Sequence, residues 1–291
     1  MAVDKLVDSS QLNTDLTSVA NAIRAKSGGS SQLAFPSGFV SEIGDIPSGG
    51  DTSIEDSLIT GANFPSVYEN SRVTSVCGYA FYGVANFTKL SLPEVTSVSQ
   101  YSFYSGKFEE IELPKLTKVN GANFRYCSRL KKLFLPSLTN GSGMGDNYAN
   151  CTSLKTAVFP KMTTGNTGGG NFNNDSALEA VDFGGNITSI GSQNTFLNCG
   201  NLQTIVLRGS TIAACGNVNN FSGSPFKSGG TGGTIYIPES LYDHLGDGSS
   251  SDYKAATNWS TINGYGTITW AKIEGSYYET HYADGTEIPT S

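Results

Sequence analysis

The pattern aromatic-x-x-small-x-x-Leu-x-x-Leu-x-Leu-Pro, clearest from Phe124 to Pro136, returns along this chain at nearly constant intervals. Phe81, Val84, Phe87, Leu90, Leu92 and Pro93 fill its slots, and so do Tyr148, Cys151, Leu154, Ala157, Phe159 and Pro160. Phe103, Gly106, Phe108, Ile111, Leu113 and Pro114 fit once a residue is deleted between the second and third slots. Phe172-Asp175-Leu178-Val181-Phe183 and Phe196-Cys199-Leu202-Ile205-Leu207 continue the series, and a degenerate seventh copy joins Phe226 to Ile235, Ile237 and Pro238. The last apolar slot falls at 92, 113, 135, 159, 183, 207 and 237, giving spacings of 21, 22, 24, 24, 24 and 30. Self-similarity at such a period marks a chain in which each repeat stacks on its neighbours rather than around one central core. The spacing predicts a solenoid.

The contents of one repeat say how it is built. Leu90-x-Leu92, Ile111-x-Leu113 and Leu133-x-Leu135 alternate with the period of a half-buried strand, and the proline that follows ends it. A second β-favouring run follows at Val95–Val98, Leu116–Val119 and Ile187–Ile190, so one coil per repeat gives two parallel sheets. The aromatic slot is expected on a short helical turn between them. With 35 glycines and only 15% charged residues, tight turns are expected in place of long helices. Within each L-x-L the middle residue must point away from the core. Those residues are Ser91, Glu112, Phe134, Val158, Asp182, Val206 and Tyr236. Four of them are apolar or aromatic, which is unusual for a row expected to face solvent. The candidate binding face is therefore centred on Phe134, Val158 and Val206, flanked by Glu112, Asp182 and Tyr236.

The two ends break the pattern. Residues 1–50 hold two short amphipathic stretches. In the first, Leu16, Val19, Ala20 and Ile23 share a face and Gly28-Gly29 ends the helix. Phe35, Phe39, Val40, Ile43 and Ile46 form the second. Being too small to hold a core alone, these are expected to pack on the solenoid, on a copy of themselves or on another protein. Residues 51–238 are the solenoid. Residues 239–263 are expected to form two short helices ending at Trp259, capping the last open layer with Leu241, Leu245, Tyr253, Ala256 and Trp259. Residues 264–291 alternate around Trp270, are dense in tyrosine, and carry an Asp284-Gly285 hairpin signal.

Composition excludes several classes of function. Eighteen basic against twenty-five acidic residues, a formal charge of −7, does not suit a phosphate-backbone partner, so no nucleic acid is expected. No apolar run approaches membrane-spanning length, and the start lacks the apolar core of a signal peptide. Export is therefore expected by lysis or within a particle. Cys127, Cys151 and Cys199 occupy the small slot that Val84 fills elsewhere, which reads as buried free thiol rather than a disulfide framework. With no CxxC pair and only His244 and His281, no metal and no cofactor are expected. The glycine-rich insertion at 140–147 offers G-x-G-x-G but no basic residue and no long helix, and a second lies at 163–174. Glu110 and Glu112 share a strand face and could imitate a glycosidase pair, though a solvated strand face explains them better. His281 is expected to be satisfied among Tyr277, Tyr278 and Tyr282. No hydrolase elbow, zincin or Walker motif is present, and no enzyme is expected.

Two resemblances add to this. From Ser57 to Asn263 the chain resembles the BspA-like leucine-rich repeats of bacterial surface and phage proteins. This implies a mainly β solenoid of the α/β type, a right-handed superhelix of about seven 21–30-residue repeats with a non-enzymatic binding role. The ending Tyr253-Lys254-x-Ala256-x-x-Trp259 is similar to the end of many such arrays. Residues 21–46, with Leu33, Phe35, Pro36, Gly38, Phe39 and Ile43, resemble a segment at the start of tail and minor structural proteins of phages and prophages of Gram-positive bacteria. Together they imply a tail-associated virion protein, held to other virion proteins through residues 1–50 and contacting a host surface protein or glycan. Trimers are the analogy from tail fibres. The alternative is a bacterial cell-surface adhesin, and a glycan-cleaving tailspike is the third class.

Overall fold

The computed structural model describes residues 53–54, 66–85, 88–119, 121–141, 145–164 and 169–290. The expectations for residues 1–50, and parts of both glycine-rich insertions, lie outside these. Residues 53–291 form a compact unit of their own.

The L-x-L segments are strands stacked in parallel. One sheet joins β2 (Val67–Glu69), β4 (Lys89–Ser91) and β6 (Glu110–Glu112). A second joins β7 (Lys132–Phe134), β8 (Thr156–Phe159), β9 (Ala180–Phe183), β11 (Thr204–Leu207), β13 (Gly233–Ile237) and β14 (Ile268–Lys272). Their register is the one the repeat implies, with Phe134, Val158, Asp182, Val206 and Tyr236 in one row. The other face of the coil is thinner. Strands β1 (Ser53–Ile54), β3 (Ser75–Val76) and β5 (Ser97–Val98) pair in parallel, isolated bridges then step through Lys118, Asn140 and Thr164, and β10 (Ser189–Gly191) pairs with β12 (Ala214–Cys215).

From Phe81 to Phe196 the aromatic slot sits on a tight turn instead of the expected helical one, while Phe221 ends a short 3-10 helix, Val218–Phe221. Each of those six turns is framed by two residues in the left-handed region, such as Tyr101 (φ 60°) and Ser105 (φ 57°), which a continuing helix forbids. Besides bonds within each turn, such as Tyr104 N to Tyr101 O, alternate turn amides bond to the next repeat: Phe81 N donates to Ser102 O, Phe103 N to Asn123 O, and Phe172 N to Thr195 O. These bonds form a third ladder beside the two sheets. Inside it the rings of Phe81, Phe103, Phe124, Tyr148, Phe172, Phe196 and Phe221 stack at centroid separations of 5.1–5.8 Å. The seventh ring is thus Phe221, not Phe226, which packs tilted against it.

The small slot is fully buried at Cys127, Cys151, Asp175 and Cys199. The three thiols donate to the carbonyls of Phe103, Phe124 and Phe172, at 2.9–3.0 Å. The far end is closed by Tyr253, Trp259 and Trp270, whose rings lie 5.2–5.9 Å apart, with Trp259 meeting Phe221. Trp259 Nε1 donates to Ala213 O at 2.7 Å, and Ala213 N donates to the Tyr253 hydroxyl at 2.9 Å, so the rings bury no unpaired polar atom. The helices of this cap are Glu239–Tyr242 and Trp259–Asn263, the second starting at Trp259 where it was expected to end. Strand β14 extends the solenoid sheet in parallel with β13, and the expected hairpin shrinks to one antiparallel bridge, His281 to Glu287.

Candidate recognition surfaces

The expected binding row is aligned as the register requires, but it does not face solvent. Val158, Asp182 and Val206 are fully buried, and Phe134 and Tyr236 are half-buried. The cover is the chain's own tail, residues 277–287, which runs back over the six-stranded sheet. Tyr278 packs edge-on against Tyr236 at 4.5 Å, and Tyr282 lies 5.9 Å from Phe134. At the centre, Arg208 makes a two-pronged ion pair with Asp182, both prongs 2.8 Å. Its remaining donors reach the carbonyls of Tyr278 (2.7 Å) and His281 (2.9 Å), while Ala283 N donates to Asp182 Oδ2 at 3.0 Å. Lys132 pairs with Asp284 at 2.6 Å. Burial raises the Asp182 carboxyl above the ordinary range, and the Arg208 guanidinium pulls it back down. Exposure was inferred from strand register, and register says nothing about a segment a hundred residues away.

Glu112, the remaining member of the row, is exposed and paired with Lys89 at 2.7 Å. That partner lowers its carboxyl below the usual range, with help from the Ser91 hydroxyl. A glycosidase acid needs the opposite shift. Beside it the main sheet is broken. Lys131 N still donates to Glu109 O, but β6 and β7 are not paired beyond that point. A groove of about 530 Å³ opens there, with Ile111, Phe134, Pro93, Pro114 and Pro136 among its lining and Glu110, Glu112 and Lys132 at its edges. The break follows the repeat that is short of a residue, between strands whose last apolar slots, Leu113 and Leu135, are 22 residues apart. His281 stacks on Tyr277 at 4.3 Å with its Nδ1 against the Thr280 hydroxyl, as the aromatic cluster suggested.

A different surface is open. On the turns of the first three repeats, Tyr79 stacks on Tyr101 at 5.1 Å and Tyr82 on Tyr104 at 5.2 Å, with Tyr126 edge-on to Tyr104 at 5.4 Å. Contacts of 5.7 Å cross-link the two columns. Tyr79, Tyr82 and Tyr126 are 48%, 47% and 38% exposed, and Arg125 extends the ridge by lying over the Tyr126 ring. Three of these tyrosines hold left-handed backbone: Tyr79 (φ 63°), Tyr101 (φ 60°) and Tyr126 (φ 61°). The other repeats place Asp146, Gly170, Asn194, Asn150, Asn174, Asn198 and Gly223 at the equivalent turn positions, residues for which this backbone is cheaper than for tyrosine.

A family model described as the BspA type leucine rich repeat region matches residues 52–165 and 145–243, with six copies of the repeat. That is more than half of the chain. The chain belongs to the BspA-type leucine-rich repeat family. Among solved structures it is similar to a T. pallidum leucine-rich repeat protein, at 27% identity and a TM-score of 0.42, over 49% of this chain and 66% of that one. It is also similar to a leucine-rich repeat protein from Bacteroides ovatus, at 21% identity and a TM-score of 0.42, over 58% of this chain and 48% of the other. The chain thus spans 66% and 48% of the length of these proteins. Comparison with curated proteins gives no match.

Within this BspA-type array two features escaped the sequence pattern. A buried asparagine precedes the ring in Asn123-Phe124, Asn147-Tyr148, Asn171-Phe172 and Asn220-Phe221. Its side-chain oxygen accepts the amide one turn earlier, as Asn123 does from Ser102 N at 3.1 Å and Asn171 from Asn147 N at 3.1 Å. The dipeptide Asn-aromatic was legible and would have placed the seventh ring at Phe221. The second is the tyrosine pair flanking the ring in Tyr79-Ala-Phe81-Tyr82 and Tyr101-Ser-Phe103-Tyr104, a repeat within the repeat.

Proposed function

We propose that this BspA-type repeat protein is a non-enzymatic recognition protein, and that its tyrosine ridge meets the partner. The ridge carries the proposal. A bulky side chain in left-handed backbone costs on the order of 1 kcal/mol or more, and the array elsewhere fills these positions with small or short polar residues, mostly glycine and asparagine, with Ser105, Ala122 and Asp146 besides. Keeping Tyr79, Tyr101 and Tyr126 there trades stability for an exposed aromatic surface, of a residue type enriched at binding hot spots. Ring faces and hydroxyls together suit a host surface protein or glycan. The resemblance of residues 21–46 to phage tail proteins supports a virion setting, with residues 1–50 as the attachment to other virion proteins. A cell-surface adhesin is the second reading, and the family match supports the two equally. The lowered Glu112 carboxyl speaks against a glycan-cleaving role.

The test uses residue types the array itself accepts. Full-length protein carrying Tyr79→Gly, Tyr101→Gly and Tyr126→Asn is expected to melt at or above the parent temperature and to lose at least tenfold in binding to host cell envelopes. Equal binding by the variant removes the ridge from the function. Immunogold labelling of an induced lysate separates the two settings: gold on particle tails fits the virion, and gold on cell envelopes with bare particles fits the adhesin.

A further inference from the structure

The tail crosses from β14 back to β7, a distance of about five strand spacings or roughly 24 Å, and it sits on the sheet as a ligand would. Its contacts divide into two kinds. The central hydrogen bonds read main chain: Arg208 donates to two tail carbonyls and Asp182 accepts one tail amide, while the Arg208 guanidinium also lies over the Tyr282 ring at 5.2 Å. The outer ones read three side chains, Tyr278 against Tyr236, Tyr282 against Phe134, and Asp284 against Lys132. Recognition therefore specifies Tyr-x-x-x-Tyr-x-Asp with a defined backbone path, and nothing in it requires the segment to be covalently attached to the same solenoid.

Three observations favour a segment that can leave and be replaced. The tail holds its own shape: Tyr282 N donates to Thr286 O, Ile288 N to Thr280 O, Ser276 Oγ accepts Tyr278 N, and Tyr277 stacks on His281. Its tether is short, since β14 ends at Lys272 and Tyr278 is already seated, with Gly275 between them at φ 76° in open space. Short hinges of this kind are the usual route to exchanged segments. The seat is also polar at its centre. An apolar row sealed for good would be at least as stable with valine or leucine in place of an ion pair, whereas Asp182 and Arg208 hydrate when uncovered and re-form a single register when covered.

We propose that the outer face of the six-stranded sheet is a peptide-binding site for a Tyr-x-x-x-Tyr-x-Asp segment, filled in cis by residues 277–287, and that a second copy of this chain fills it in trans by reciprocal exchange. The seat on each copy then holds the other's tail with the same set of contacts. Exchange links copies without using the tyrosine ridge, which stays available in both.

Two full-length variants separate the halves of the exchange. Tyr278→Ala with Tyr282→Ala leaves the solenoid untouched and opens the seat. Arg208→Met spoils the seat and leaves the tail intact. A fluorescein-labelled peptide of residues 276–290 is expected to bind the open-seat chain at least tenfold more tightly than the parent, in fluorescence anisotropy, and to lose that gain when Arg208→Met is added. Equal binding to parent and open-seat chains overturns the site, and the open-seat variant carries this test even if Arg208→Met does not fold. Mixing the two variants, each folded at the assay temperature by circular dichroism, is expected to give a one-to-one complex in sedimentation velocity. Separate monomers in the mixture overturn the exchange between copies.

Discussion

Asp175 fills the small slot between Cys151 and Cys199 with its side chain fully buried. One carboxyl oxygen accepts Cys151 N at 2.7 Å, and the other has no partner. Burial raises this carboxyl well above the ordinary range, and the Cys151 amide only partly opposes that shift. The sign of the pH dependence follows. In the unfolded chain the group ionises near pH 3.9, while in the fold it keeps its proton to higher pH. Folding therefore takes up a proton in that window, and the stability present below the unfolded value is lost as pH climbs toward the folded one. The loss is about 1.4 kcal/mol per pH unit for as long as the folded carboxyl stays protonated, a ceiling of about 4 kcal/mol by pH 7. Asp175→Cys installs the residue that the slot holds in three other repeats and removes the titration. It forfeits one hydrogen bond, worth about 1–1.5 kcal/mol net. At pH 7 the variant is expected to be more stable by up to roughly 2–3 kcal/mol, which at this size raises Tm by about 5–10 °C. Thermal and urea melts of parent and variant between pH 4 and 7.5 provide the check. The advantage must shrink toward zero or reverse as pH falls to 4. A difference flat across that range, or one that grows on acidification, refutes the account of Asp175 as a buried neutral acid.

Two further outcomes are expected from the same core. The Tyr148 hydroxyl is buried without a partner, so Tyr148→Phe should stabilise by about 1 kcal/mol or more, read as a shift in urea midpoint at constant slope. Arg208→Ala strands the Asp182 carboxylate beneath the tail and should cost about 3–5 kcal/mol, whereas Arg208→Met with Asp182→Leu should be near neutral in the same melts.

The solenoid was legible in the sequence because its causes are local and periodic. A leucine every second residue makes a strand, a proline ends it, and recurrence at 22–24 residues stacks the strands. Phe124, Leu133 and Leu135 declare the coil without reference to anything distant. The turn geometry was not legible in that pattern, because helical and left-handed turns place an aromatic ring equally well inside. The asparagines at 123, 147 and 171 mark the tight turns, their oxygens bonding across repeats, and Asn220 makes the same bond from a short 3-10 helix. The binding face was misjudged for a different reason. Phe134 and Val158 point outward as the register demands, and they are covered by Tyr282 and its neighbours through contacts separated by more than a hundred residues. No period announces such a contact. A hint was present in Phe-Val-Asp-Val-Tyr, a row too apolar to be left wet.

All three ladders of this coil run along its axis, so a load applied between its ends bears on their hydrogen bonds one turn at a time. Such a chain peels under tension instead of shearing as a block, each freed turn paying out about 75 Å of slack from 22–24 residues. The weakest join is at Glu112 and Lys132, where one ladder of the three is interrupted. Beyond it the tail laces β7 to β14 crosswise and ties six strands into a single mechanical element. Stretching is expected to spend the first turns as a shock absorber and to leave the laced part standing.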